Sequence, residues 1–146
     1  MGIDNCKFCR ILSGSLPAAV VLEDQFCTAF LDTRPLFYGH CLLVPRTHYE
    51  TLPDLPDALL APFFSDVKLL CCAVREAMGA EGTFVAINNT ISQSIPHLHA
   101  HIVPRNRKDG LKGFFWPRRS YRDQTHINRT AETIRETAER LRSGGG

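Results

Sequence analysis

Pro96-His97-Leu98-His99-Ala100-His101-Ile102-Val103-Pro104 decides how the rest of the chain is organised. Histidine recurs at every second position, apolar residues fill the places between, and a proline stands at each end. Side chains alternate between faces along a strand. The run therefore predicts a strand with His97, His99 and His101 on one face and Leu98, Ala100 and Ile102 on the other. Neighbouring imidazoles on such a strand lie roughly 6.5–7 Å apart, near enough to surround one small reacting centre.

Three chemistries fit this run. A sheet wet on one face gives the same alternation with no function attached. Neutral imidazoles at this spacing can bind a metal, with the triad as the ligands of a metal-dependent hydrolase. They can also do metal-free phosphorus chemistry, one imidazole attacking while its neighbours bind oxyanions and handle protons. The upstream flank Asn88-Asn89-Thr90-Ile91-Ser92-Gln93-Ser94 is turn-forming and rich in side-chain donors suited to phosphate oxygens, which favours the third.

The chain also opens with a pair of thiols, Cys6 and Cys9, at C-x-x-C spacing. That spacing lets two thiolates chelate one ion, but zinc needs two more ligands and no second C-x-x-C follows. Histidines must complete such a site, the candidates being His40, His48, His126 or a triad member; a redox dithiol is the alternative. Cys27, Cys41, Cys71 and Cys72 lie among apolar residues and are expected as small core hydrophobes.

Gln93 to Val103 resembles the signature of the histidine triad (HIT) family, His-x-His-x-His-x-x with hydrophobic residues at x. The likeness covers residues 4 to 105. It implies an α+β, HIT-like fold with a five-stranded antiparallel sheet, a long helix and short flanking helices, dimeric with the sheet continued across the interface. It also implies a nucleotide hydrolase or nucleotidyl transferase acting at the α-phosphorus of purine nucleoside phosphoramidates or dinucleoside polyphosphates and releasing AMP. A non-catalytic purine nucleotide-binding protein is the alternative. By resemblance, His99 is the nucleophile that becomes nucleotidylated, His101 binds phosphate oxygens, and Ser94 and Gln93 stabilise charge or help protonate the leaving group. His40 supports the triad, Asn88 contacts ribose or phosphate, and Asp32 accepts from the ribose hydroxyls. Phe8, Ile11, Leu12 and Leu31 contact the base. From spacing alone His40 is equally a surface histidine, Asp32 a turn former, and Phe8, Ile11 and Leu12 a core stripe. Bacterial-type members with the opening Cys-x-x-Cys carry a structural zinc, on positions matching Cys6, Cys9, His48 and His97. No catalytic metal is then required.

The remaining elements follow from local pattern. Phe8 to Gly14 predicts a short helix, Ala19–Glu23 and Cys27–Asp32 a hairpin, Gly39–Pro45 a central strand, and Thr83–Asn88 a fourth. Asp54 to Met78 is helical in period, with Val67, Leu70, Cys71, Val74, Ala77 and Met78 on one apolar face and a kink or new start expected at Pro62. Phe63, Phe64, Leu69 and Cys72 leave further apolar surface, which fits the dimer the resemblance implies. Ala131, Ile134, Ala138 and Leu141 mark an amphipathic final helix.

A length of 146 residues, with 44% hydrophobic content, suits a single domain spanning 1–146, its core at about 4–105 and a basic, aromatic loop and helix at 106–146. The net charge of +2 is too mild to argue for nucleic-acid binding, and no specific nucleic-acid partner is expected. The first residues show no basic-then-apolar leader and no apolar run reaches membrane-spanning length, so a cytoplasmic protein without membrane association is expected. Arg105, Arg107, Lys108, Lys112, Arg118, Arg119 and Arg122 form a basic stretch, broken by Gly113-Phe114-Phe115-Trp116-Pro117, which can steer anions, stack on a base or merely be solvated.

Overall fold

A computed structural model describes residues 3–111 and 118–144. The expected role of Lys112 and of Gly113–Pro117 lies outside the described residues. The chain forms two compact units, Met1–Asp109 and Gly110–Gly146. In the first, helix α1 (Lys7–Leu12) precedes strands β1 (Val20–Glu23), β2 (Cys27–Leu31) and β3 (Cys41–Pro45). Helix α2 (Asp57–Ala77) and strands β4 (Gly82–Ile87) and β5 (Ala100–Arg105) follow. The second unit holds helix α3 (Gln124–Gly144), whose third residue His126 donates its N–H to Asp123 Oδ1 at 2.7 Å.

The five strands form one antiparallel sheet in the order β1-β2-β3-β5-β4, so the strand bearing the histidine motif is interior. Register makes the two faces explicit. Ala29, Leu43, Ala100 and Ile87 line up across the sheet, and all belong to the apolar cluster under α2. One residue along, Phe30, Leu42, His101 and Ala86 form the row on the other face, where Phe30 and Leu42 pack with Phe8 of α1. Period-two alternation thus splits the sequence between an apolar core and a chemical face.

The histidine strand is shorter than its alternation predicts. Regular pairing begins at Ala100, and His97 and His99 lie in the non-regular segment before it. Leu98 donates its N–H to Tyr49 O at 2.7 Å and His97 donates to Ile95 O at 2.8 Å, bonds made outside the sheet ladder. The two-faced division persists all the same, since Leu98, Ala100 and Ile102 are fully buried in the α2 cluster.

Helix α2 runs through Pro62 without a break, at the cost of one backbone hydrogen bond near its start. It ends in a Schellman motif: Ala80 donates to Arg75 O, Gly79 donates to Glu76 O, and Gly79 takes φ +62°. Its buried face is Phe63, Asp66, Val67, Leu70 and Val74. Met78, expected on this face, is exposed, as are Phe64, Leu69 and Cys72. Among the described residues no helix is long and apolar enough to cross a membrane.

Gly39, one residue before the buried His40, has φ +98°, and a Cβ there would sit 2.6 Å from Met78 Cγ. Gly39→Ala is expected to lower stability by roughly 1–3 kcal/mol in urea unfolding. Met78→Ala should recover only the steric part of that loss; full recovery would show that the backbone conformation costs nothing.

Candidate active site

On the α1 face of the sheet, a cavity of about 330 Å³ opens beside the histidines. Its apolar wall includes Phe8, Ile11, Phe30, Leu31 and Leu42, and its polar groups include Asp32, Ser94, His99 and His101. Seven of the expected substrate residues therefore meet at one place: Phe8, Ile11, Leu31, Asp32, Ser94, His99 and His101.

Leu12, Asn88 and Gln93 do not line it. Leu12 packs against the α1-side cluster. Gln93 spends its amide on the loop itself, accepting from Thr90 N–H at 2.8 Å and donating to the Glu50 carbonyl. The loop needs this bracing, because Thr90 and Ser92 both take positive φ, a costly conformation for residues other than glycine. Asn89, unremarked in the sequence, adds a second brace by accepting the Leu52 N–H at 2.8 Å.

The imidazoles are held in complementary tautomers. Leu36 N–H donates to His40 Nδ1 at 3.1 Å, so neutral His40 carries its proton on Nε2. That proton points at His101 Nδ1, 2.9 Å away, which places the His101 proton on Nε2 as a donor for the cavity. His99 has the opposite arrangement: its Nδ1–H donates to the His97 carbonyl at 2.7 Å, leaving the Nε2 lone pair uncommitted to a proton. Ring centroids of His99 and His101 are 5.0 Å apart, closer than ideal strand spacing. One ring offers an electron pair where its neighbour offers a proton.

Burial keeps these rings neutral. It depresses His101 to about 4, with His99 and His40 adding to the effect and Asp32 opposing it. Burial likewise lowers His40 and His99. Asp32 Oδ2 lies 3.7 Å from His40 Nε2, too far for a strong bond but close enough to steady positive charge, while Oδ1 accepts the Arg34 N–H.

Beside this pair is a second cluster. Ligand atoms of Cys6, Cys9, His48 and His97 all lie within 4.8 Å of one another. His97 Nδ1 is 3.4 Å from Cys6 Sγ and 3.5 Å from Cys9 Sγ, and His48 Nδ1 is 3.3 Å from Cys9 Sγ. Tetrahedral zinc separates sulfur and nitrogen ligands by about 3.5 Å, so the donor set and its spacing fit the ion. His97 Nε2–H donates to the Pro45 carbonyl at 2.9 Å, presenting Nδ1 to the thiols as a ligating histidine requires. His126, the remaining candidate ligand, is on α3 and bonds locally to Arg122 N–H.

The HIT domain profile matches residues 13–108. The chain belongs to the HIT family. Among HIT relatives, an adenylylsulfatase from Arabidopsis thaliana is 38% identical over 110 residues, covering 74% of this chain and 56% of that protein. The chain thus spans little more than half the length of that relative. An adenosine 5'-monophosphoramidase from Schizosaccharomyces pombe is 33% identical over 77% of this chain and 84% of its own. A HIT protein structure from Bacillus subtilis superposes with a TM-score of 0.82 at 32% identity, covering 90% of this chain and 96% of the other. A zinc-bound histidine triad protein from Mycobacterium smegmatis gives 0.71 at 33%, covering 94% and 99%. Named hydrolases are therefore among its HIT relatives.

Sequence reading missed Phe30, Leu42, Ile95, Lys7 and Arg34 as cavity residues. Phe30 and Leu42 share a cross-strand row with His101, a signal that becomes visible once register is known.

As pH falls from about 6.5 to about 4, the unfolded chain gains a proton that folded His101 refuses, so stability declines across that window. His101→Gln should make the decline shallower, by up to about 1.4 kcal/mol per pH unit, in urea titrations at stepped pH.

Proposed function

We propose that this HIT protein hydrolyses nucleotides at the α-phosphorus, through a covalent intermediate on His99. The observation that carries the reading is the tautomer pair, His99 Nε2 bearing a lone pair and His101 Nε2 bearing a proton, at the head of an apolar cavity. A base fits the wall of Phe8, Ile11, Leu31, Phe30 and Leu42, and Asp32 accepts from the ribose hydroxyls. The phosphate then meets His99 and His101.

In the first step His99 Nε2 forms a bond to phosphorus and the bond to the leaving group breaks. His101, fed by His40, donates to the phosphoryl oxygens, and Ser94 protonates the departing group or stabilises its charge. Water hydrolyses the nucleotidyl-histidine in the second step and releases AMP when the base is adenine. The depressed basicity of His99 supports this role, because a protonated ring cannot attack. The names adenylylsulfatase and adenosine 5'-monophosphoramidase both specify an adenosine 5'-phosphoryl group and differ in what is attached to it, which supports a site built around the nucleotide half. Purine nucleoside phosphoramidates and dinucleoside polyphosphates are the proposed substrates.

We assign a structural zinc to Cys6, Cys9, His48 and His97. Its chemistry here is a four-ligand cross-link that ties the N-terminal segment to the sheet, and the donor geometry together with the zinc-bound relative supports it. A homodimer joined through the β4 edge and α2 is supported by the exposed Val85, Phe64 and Leu69. Six free cysteines suit the reducing cytoplasm.

His99→Ala is expected to cut AMP release from an adenosine phosphoramidate at least roughly thousand-fold while AMP still binds. Retained turnover would exclude the covalent route, and AMP binding without turnover in the wild type would make the protein a nucleotide binder. Cys9→Ser should lose zinc and thermal stability; unchanged metal content would refute the ligand set. Light scattering should give a dimer mass for the wild type and a monomer for a Val85→Lys, Leu69→Lys variant, whereas a monomeric wild type would exclude the interface.

A further inference from the structure

The α2 side of the sheet holds a polar cluster that the nucleotide chemistry does not use. Asp24 in the β1–β2 turn, Cys27 at the start of β2 and Asp66 on α2 bring two carboxylate oxygens and a sulfur within 4.8 Å of one another. Cys27 is 2% exposed and Asp66 8%, so two of the three are taken out of water, while Asp24 keeps the cluster open to solvent.

Asp24 is held rigidly, its Oδ1 accepting the N–H groups of Phe26 at 2.7 Å and Cys27 at 2.8 Å. Asp66 is the anomaly: among the described residues its Oδ2 is buried without a hydrogen-bond partner, and burial and the neighbouring Asp24 push its carboxyl up to about 6. Arg46 beside Asp24 is engaged elsewhere, its Nη1 donating to Glu23 at 2.8 Å and to Thr28 at 3.2 Å. Its field helps Asp24 without reaching Asp66's empty oxygen by a bond. Two carboxyls and a thiol thus face one another with one buried oxygen left over, a donor set suited to a cation.

We propose that Asp24, Cys27 and Asp66 form a second cation site, selective for a thiophilic divalent ion such as zinc. Two oxygens and one sulfur suit zinc, whereas magnesium and calcium take oxygen ligands alone. A water on the open Asp24 side completes four-coordination. On binding, the Cys27 S–H bond breaks, the sulfur bonds the metal, and the proton goes to solvent, together with any proton held between the two carboxyls. The ion fills the valence left at Asp66 Oδ2 and pins the β1–β2 turn to α2, on the face of the sheet opposite the cluster of Cys6, Cys9, His48 and His97.

The test is equilibrium dialysis of the full chain against zinc chloride, with bound metal counted by elemental analysis. Wild type is expected to hold one equivalent more than Asp66→Asn and one more than Cys27→Ala, whatever the occupancy of the Cys6 cluster. Wild type should also show a zinc-dependent rise in melting temperature that shrinks in Asp66→Asn. Equal metal counts in wild type and both variants would overturn the site, and so would a wild type that takes up a single equivalent lost on Cys9→Ser, leaving a shared proton to neutralise the pair. Should the buried substitutions prevent folding, Asp24→Asn at the exposed position decides by the same count.

Discussion

His97 is bonded in three directions, and the orientation of the His99 ring depends on all three. Its Nδ1 faces the two thiols, its Nε2–H is taken by the Pro45 carbonyl, and its own carbonyl accepts the Nδ1–H of His99. The ring is fully buried, so none of these partners can be exchanged for water. The carbonyl that sets the His99 tautomer therefore belongs to a residue with little freedom to turn. One residue thus joins the N-terminal cysteines, the central strand β3 and the ring of His99.

Around that node, one alternating strand serves two environments. Leu98, Ala100 and Ile102 are buried under α2 with Phe63, Val67 and Leu70, while their histidine neighbours face α1 and the cavity. Phe8 bridges the two chemical clusters, its ring 5.8 Å from His97 and 5.2 Å from His99. It helps shut water from both rings, and desolvation is the largest influence depressing each of them. Apolar packing thereby favours the neutral form of His99, and the His40–His101 bond supplies the opposite tautomer next door.

Much of this was legible because it is periodic or locally spaced. Alternation at 97–103 foretold which residues go to which face, and the helical repeat of Val67, Leu70 and Val74 located the helix covering the apolar one. The pairing of Cys6 with Cys9 is local, and the fold brings His48 and His97 to them with ligand atoms within 4.8 Å of one another. What escaped depends on contacts between distant segments. The strand starts only at Ala100, because Leu98 bonds to Tyr49, far away in sequence. Gln93 has the chemistry of a phosphate ligand, and its amide also braces a loop of unusual backbone through Thr90 and Glu50, which local spacing does not foretell. Asp66 sits in an apolar helical repeat and nothing local marks it as buried beside Asp24 and Cys27.

The proposed function stands or falls on a bond between phosphorus and one ring nitrogen of His99. Its most direct measurement is intact-mass and peptide-level mass spectrometry of the wild-type protein, acid-sensitive adducts preserved, after millisecond mixing with an adenosine phosphoramidate. An adenylyl group on the peptide containing His99, formed and lost at the rate of AMP release, is the expected result. AMP released at full rate with that peptide unmodified at every time point would contradict it.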